Sequence, residues 1–299
     1  MSKITIVGMG ALGVLYGDMI LKNMGEESFT FLADEERIAR YRREGVFCNG
    51  KKCDFPMSAE PSPTELLIFA VKGTGLHEAM ELAAGAVGSD TVIISLLNGI
   101  SSEELLAERF GAGKVVHCIA QGMDAVKLGN KLSYEHAGEL RIGTPDPSGQ
   151  PLVEKVAYIL AKAGIPYVRE EDILHRLWGK WMLNVGVNQV VMMEEGTYGT
   201  VQKPGKARDM MYAAMEEVVA LSQKAGTGVT REDLDGYVAL LDSLNPDGMP
   251  SMRQDGLAHR YSEVELFSGT VLKKAREYGV ETPINRLLYD RIKEMEAEY

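Results

Sequence analysis

The chain has 299 residues, enough for two domains with a sizeable core, and its 45% hydrophobic and 25% charged content is that of a soluble globular fold. A formal net charge of −11 argues against a general basic surface for nucleic acid and leaves any anionic cofactor or substrate in need of local cations. The sequence has no apolar run of about 18 residues, no signal peptide, and no disulfide or zinc spacing among Cys48, Cys53 and Cys118, so free buried thiols and a cytoplasmic location are expected.

Ile4 to Val7 reads as a buried strand that runs straight into Gly8-Met9-Gly10-Ala11-Leu12-Gly13, and the segment after Gly13 reads as a helix. Gly8 allows the tight turn, Gly10 lets a pyrophosphate approach the backbone, and Gly13 lets the helix pack close to the strand. The free N–H groups at the helix N-terminus then face the phosphates. The stretch is read as a dinucleotide site, with a glycine-rich turn in some other α/β protein as the plainer alternative. Phe29 to Ala33 is the next strand, and Asp34 follows it about 20 residues past Gly13, where a dinucleotide fold puts its ribose reader. An acid there favours a free 2′-hydroxyl, hence NAD, unless Arg37 or Arg40 reaches a 2′-phosphate. Asp34 also suits the N-cap of a helix from Glu35 to Glu44, and one residue can do both.

Two short strands are expected within Val46 to Met57, around the turn dipeptide Asn49-Gly50. Strands at Leu66 to Val71, Thr91 to Leu97 and Lys114 to Ala120 then alternate with helices at Leu76 to Ala86 and from Ser101 or Ser102 to Phe110. That alternation marks a parallel sheet wound with helices. Gly8, Asp34, Lys72 and Asn98 all follow predicted strands, and ligands of such sheets sit outside the carboxyl ends. Taken singly, Lys72 is an ordinary loop lysine and Asn98-Gly99 an ordinary turn; the shared placement favours function. A hairpin over Leu132 to Ala137 and Glu139 to Ile142, joined near Gly138, a helix from Pro151 to Ala163 and a last strand at Tyr167 and Val168 complete this part.

After Asp172 the apolar pattern is helical almost throughout. The fold class is therefore α/β, with an N-terminal Rossmann dinucleotide-binding domain over 1–170 and an all-α C-terminal domain over 171–299. A helix from Ile173 to about Met193 is expected, its centre from Leu177 to Val191 apolar nearly all round, as a buried helix should be. Lys180, Asn184, Asn188 and Gln189 interrupt it, the first three on one stripe about 12 Å long. A lysine on such a helix is costly unless it meets a partner or a cavity, and asparagines are poor helix formers. Gly179 and Gly186 permit close approach of another backbone or a ligand. The alternative is that the lysine snorkels to solvent and the asparagines tie helices together; the active-site reading is preferred. Further helices are expected at Lys206 to Ala225, at Arg231 to Leu244 with Thr230 as cap, and from Thr282-Pro283 onward. A long helix from Ser251 to about Tyr278 is expected too, with Gln254 completing a capping box and Glu263 in its middle. The five histidines show no ligand spacing, so no metal is assigned, and neither a G-x-S-x-G elbow nor a Walker A sequence is present.

Gly8-Met-Gly-Ala-Leu-Gly13, Val71-Lys72, Asn98-Gly99, the Lys180, Asn184 and Asn188 stripe, Thr197-Tyr198-Gly199, and Ser251-Met252 with Gln254-Asp255 and then Glu263 form an ordered set. In that set the chain resembles the ketopantoate reductase (2-dehydropantoate 2-reductase) family from end to end. The resemblance implies NADPH-dependent reduction of a 2-oxo acid, ketopantoate, to a 2-hydroxy acid in pantothenate synthesis. It implies Lys180 as the catalytic acid, with Glu263 and Lys72 contacting the cofactor or positioning the reacting groups. It implies that Asn184, Asn188 and Ser251 hold the substrate and that Asn98 touches both substrate and cofactor. The glycine-turn residues Gly8 to Gly13, together with Asp34 and Arg37, would line the dinucleotide. Two departures stand out: Asp34 occupies the place of an arginine that grips the 2′-phosphate, and Gln189 stands where a proline is frequent. Asp34 therefore keeps NADH open, as in an NADH-linked 2-hydroxyacid dehydrogenase acting on another branched 2-oxo acid. A dinucleotide-binding sensor without catalysis is the reading from a different class. The partner expected is a small-molecule 2-oxo acid, with no nucleic acid and no membrane; a homodimer is left open.

Overall fold

A computed structural model describes residues 3–299. The elements of the first half are Ile4–Val7 (β1), Ala11–Met24 (α1), Phe29–Leu32 (β2), Glu35–Glu44 (α2), Phe47–Cys48 (β3), Lys51–Lys52 (β4), Met57–Ser58 (β5), Leu66–Phe69 (β6), Leu76–Leu82 (α3), Val92–Ser95 (β7) and Ser102–Phe110 (α4). They continue with His117–Met123 (β8), Val126–Leu128 (β9), Lys131–Ser133 (β10), Ala137–Gly143 (β11), Gln150–Lys162 (α5) and Tyr167–Arg169 (β12). β5, β2, β1, β6 and β7 lie side by side in that order, all parallel. Alternate residues feed two cores. Ile4, Ile6, Phe29, Phe31, Leu66, Ile68, Val92 and Ile94 pack with residues of α1 and α5, whereas Val7, Leu32, Leu67, Phe69 and Ile93 pack with residues of α3 and α4. Strands buried on both faces read as unbroken apolar runs, which is why the sequence exposes them so clearly. The strand order reverses between β1 and β6, and the crevice outside their carboxyl ends is where such sheets bind ligands.

The expected hairpin around Gly138 does not form. β11 pairs antiparallel with β8 and parallel with β12, while β10 pairs with β9 and with β3. Gly138 lies inside β11 at φ 65°, opposite Gly122 at φ 75°, so a local glycine signal marks a kink in a ladder rather than a turn. A Cβ at Gly138 would stand 2.3 Å from the Gln121 carbonyl oxygen, so the kink admits glycine only. The strand expected from Lys114 starts later, because Ala112–Lys114 forms a 3-10 turn.

The chain divides into two compact units, the first running to Asn98 and resuming over Ser102–Ile173, the second comprising Gly99–Ser101 and Leu174–Tyr299. The second unit is helical: Ile173–Met193 (α6), Tyr198–Gln202 (α7), Lys206–Ala225 (α8), Arg231–Asp242 (α9), Ser251–Leu257 (α10), a π-helix at Glu265–Gly269, Thr270–Tyr278 (α11) and Pro283–Glu296 (α12). α8 packs against α7, α9, α11 and α12. Thr230 and Asp233 make the reciprocal cap expected for α9.

The long helix expected from Ser251 to Tyr278 is broken. It stops at Leu257, His259 takes a left-handed φ of 47°, and regular structure resumes only with the π-helix at Glu265. The cause lies far along the chain. The buried carboxylate of Glu296 accepts the Ser262 backbone N–H at 2.7 Å and its hydroxyl at 2.5 Å, taking an N–H that a continuous helix would use internally. Nor does the Ser251 capping box form: Pro250 is the N-cap, and the Gln254 amide donates instead to the Met249 carbonyl at 3.1 Å. Glu263 thus stands in an irregular turn, not in a helix.

Candidate active site

In the first unit, the turn after β1 has the shape a dinucleotide needs. Gly8 sits at φ 104°, and a Cβ there would lie 2.5 Å from the Ala70 carbonyl oxygen of the β6 exit. At Gly13 a Cβ would be 2.1 Å from the Gly8 carbonyl oxygen, so helix and strand touch at that point. Gly10 differs: its φ is −70°, and a Cβ would meet only the Ala70 carbonyl oxygen, at 3.5 Å. The protein itself leaves that space open. The α1 N-terminus carries no side-chain cap and no acid in its first turn, so its orphan N–H groups are left for an anion. Met9 is buried beneath the turn, and Ala11 and Leu12 open the helix. These residues fit the pyrophosphate of a dinucleotide.

Asp34 and Arg37 lie two and five residues beyond β2. Asp34 caps α2, its carboxylate accepting the Arg37 backbone N–H at 2.7 Å. The same carboxylate meets Arg37 Nη1 at 2.9 Å, and Glu78 on α3 holds that same nitrogen at 3.0 Å. The Glu78 hydrogen bond and the two acids raise the pKa of Arg37 above its usual value. The Arg37 guanidinium just beyond β2 is thus shared by two carboxylates. Arg40, on the next turn of α2, stacks over Tyr41 at 5.1 Å. Lys72 is exposed, three residues past β6, at the entry to a 3-10 turn over Gly73–Gly75. Asn98 is half-buried, three residues past β7. Both therefore sit slightly farther from their strands than the sequence suggests.

In the second unit, Lys180, Asn184 and Asn188 share one face of α6; Lys180 and Asn184 are half-buried and Asn188 is 7% exposed. The two glycines of α6 serve helix packing. A Cβ at Gly179 would be 2.8 Å from the Tyr237 ring of α9, and one at Gly186 would be 2.5 Å from Met215 of α8. Ser251 is exposed at the first position of α10. Glu263 is half-buried, and its carbonyl accepts the N–H groups of Leu266 and Phe267 at 2.9 and 3.3 Å. Sequence reasoning noticed Gln189 only as an oddity and passed over Trp181. Both are buried, and both reach the π-helix: Trp181 Nε1 donates to the Leu266 carbonyl at 2.9 Å, and Gln189 Oε1 accepts the Ser268 N–H at 3.1 Å.

Two other polar groups are accounted for locally. Cys48 and Cys53 are buried beside Asp18, and burial first, then that carboxylate, pushes their thiols up to about 12 and about 11. Asp124, Glu135 and His136 gather at an exposed turn, where the Asp124 carboxylate accepts the N–H groups of both neighbours at 2.9 Å and faces His136 Nδ1 at 2.9 Å. Among the described residues, no helix is long and apolar enough to cross a membrane.

Comparison with known proteins finds relatives along nearly the whole chain. Residues 4–147 match the family model described as ketopantoate reductase PanE/ApbA, and residues 172–296 match its C-terminal counterpart. A 2-dehydropantoate 2-reductase of Aquifex aeolicus is 27% identical, over 98% of this chain and 97% of its own. Among solved structures, a D-mandelate dehydrogenase complex with NADH superposes with a TM-score of 0.89 at 20% identity, covering 99% of each chain. A dimeric ketopantoate reductase from Staphylococcus aureus gives 0.83 at 18% identity, again covering 99% of each chain. With the Rossmann sheet, the glycine cradle and the helical second unit in place, the chain belongs to the ketopantoate reductase family of NAD(P)H-dependent oxidoreductases.

Proposed function

We propose that the chain is a 2-dehydropantoate 2-reductase, reducing ketopantoate to pantoate with NADPH in pantothenate synthesis. The observation that carries the reading is the polar stripe of Lys180, Asn184 and Asn188 on an otherwise apolar helix, in a chain that also holds a dinucleotide cradle. When bound, the dinucleotide supplies the hydride that reduces the C2 carbonyl carbon. The Lys180 ammonium stabilises the negative charge growing on the carbonyl oxygen and then protonates it. Glu263 contacts the cofactor or positions the reacting groups. Asn184, Asn188 and Ser251 donate to the carboxylate and hydroxyl of a small substrate, and Asn98 orients it against the cofactor. Lys72 supplies positive charge for the dinucleotide. A cytoplasmic location and a homodimer go with this reading; the staphylococcal relative is described as dimeric.

A second reading is favoured by one observation, the sharing of Arg37 between Asp34 and Glu78. Two carboxylates at the ribose end favour a 2′-hydroxyl, hence NADH, and with it another branched 2-oxo acid. Cofactor oxidation with ketopantoate, run in parallel with NADPH and NADH, separates the two. Turnover with NADPH supports the first; turnover with NADH alone supports the second. Lys180→Ala is expected to lose at least about 10²-fold in kcat while still binding the dinucleotide, that being the low end of what proton delivery is worth. Near-normal turnover in that variant overturns the assignment of the acid.

A further inference from the structure

A π-helix leaves backbone groups out of register with their neighbours, and such segments are frequent at functional sites. Here the π-helix at Glu265–Gly269 begins two residues after Glu263. Two of its backbone groups are taken up by side chains of one helix, α6: the Leu266 carbonyl by Trp181 Nε1 and the Ser268 N–H by Gln189 Oε1. Trp181 and Gln189 are each the residue next to a member of the polar stripe, Lys180 and Asn188. They stand eight residues apart, about 12 Å along the helix, so they face the π-helix from one strip of surface beside the stripe. Their own positions are locked. Trp181 is 1% exposed, and Gln189, at 0%, ties its amide back to the Val185 carbonyl at 2.7 Å. Behind the π-helix, Ser268 Oγ donates to Asn285 Oδ1 at 3.0 Å, and Asn285 Nδ2 donates to Glu217 Oε2 at 2.7 Å and to the Ala214 carbonyl at 3.1 Å. A glutamine placed on α6 for packing alone would be a poor choice, since a buried amide is expensive unless its groups are met. Every group of this one meets a partner, and the Ser268 N–H it satisfies belongs to the segment that carries Glu263.

We propose that Trp181 and Gln189 are positioning residues, which set the Glu263 turn at a fixed height against the Lys180, Asn184 and Asn188 stripe. The proposal rests on the reading that Lys180 and Glu263 serve the reaction. A displacement of about 1 Å at a reacting group costs about 10²-fold in rate, so a loosened anchor acts on turnover before it acts on binding.

The test uses Gln189→Met, which keeps the volume and removes the acceptor, and Trp181→Phe, which keeps a ring and removes the donor. Each is expected to lower kcat at least tenfold, to change KM for the 2-oxo acid less than threefold, and to leave dinucleotide affinity unchanged. Gln189→Glu, assayed at pH 6 where a buried carboxyl stays protonated, retains an oxygen for the Ser268 N–H and recovers most of the loss. Independently of turnover, hydrogen–deuterium exchange over residues 263–269 rises in Gln189→Met while α11 stays protected. If Gln189→Met does not fold, Trp181→Phe carries the same readouts. Unchanged kcat together with unchanged exchange in the folded variants overturns the proposal. So does an equal loss in Gln189→Met and Gln189→Glu. Lys180→Ala separates the two failures: an active Lys180→Ala overturns the acid assignment, whereas an inactive one beside fully active anchor variants overturns the positioning role alone.

Discussion

Glu103 offers a measurement in which sign and size both follow from the structure. It lies in the first turn of α4 and is 2% exposed, and one carboxylate oxygen accepts the Ser102 hydroxyl at 2.8 Å. Burial pushes its pKa from 4.5 up to about 7, the Ser102 hydroxyl opposing only in part. Below pH 4.5 the group is protonated folded and unfolded, and it contributes nothing. From there to about pH 7 the unfolded chain has released the proton and the folded chain keeps it, so stability falls as pH rises; above that the penalty is constant. Integrated from pH 5 to pH 8.5, the loss is about 2–3 kcal/mol. Glu103→Gln keeps an oxygen for Ser102 and removes the charge. Any cost of burying the new amide is independent of pH, so only the difference in slope matters. His117, lowered by burial to about 4, acts oppositely, its stability being lost as pH falls from 6.5, but it is common to both proteins and cancels. Urea unfolding of wild type and Glu103→Gln at several pH values is the assay. The variant gains on the wild type by about 2–3 kcal/mol across that range; parallel stability curves would falsify the assignment of a buried, nearly neutral carboxyl.

The glycine cradle makes a paired prediction. Gly10→Ala folds with wild-type stability, since its Cβ enters open space, but weakens dinucleotide binding at least tenfold by fluorescence titration; Gly13→Ala, whose Cβ meets backbone at 2.1 Å, yields little folded protein. Equal affinity in Gly10→Ala would place the pyrophosphate elsewhere. Asp34→Asn keeps an oxygen for the α2 cap and removes one charge facing a 2′-phosphate. At about 1 kcal/mol per charge pair in water, against a phosphate of about −2, the NADPH-to-NADH ratio of kcat/KM rises by about tenfold or more, and an unchanged ratio removes Asp34 from cofactor choice. Cys48 and Cys53, held near 12 and 11, resist iodoacetamide at pH 8 until the protein unfolds; labelling of the native protein at the rate of a free thiol contradicts their burial.

The elements that the sequence exposed best are those whose burial is uniform. β1 matches its apolar run residue for residue, and β6 and β7 lie inside theirs, because both faces of a parallel strand are covered. α6 and α8 match as well, the one nearly apolar all round and the other carrying a clear apolar side. The glycine spacing was equally legible, since Gly8 and Gly13 each answer a local steric demand. Elsewhere a local signal misled. Gly138 reads as a turn, yet its conformation belongs to pairing between β8 and β11, with a whole hairpin inserted between them. The helix through Glu263 looked continuous because periodicity carries no information about a carboxylate 34 residues away that holds Ser262.

The sequence by itself determined the Rossmann half, the polar stripe on α6 and the family, because these depend on patterns repeated along neighbouring residues. Only the tertiary structure decided that Asp34 caps its helix while sharing Arg37 with Glu78, and that Glu263 stands in a turn braced from α6 and α12. Those arrangements are hydrogen bonds between residues far apart in the chain. Such a bond requires two groups to meet at about 3 Å with aligned lone pairs, a condition set by the packing of whole elements and absent from any local window of residues.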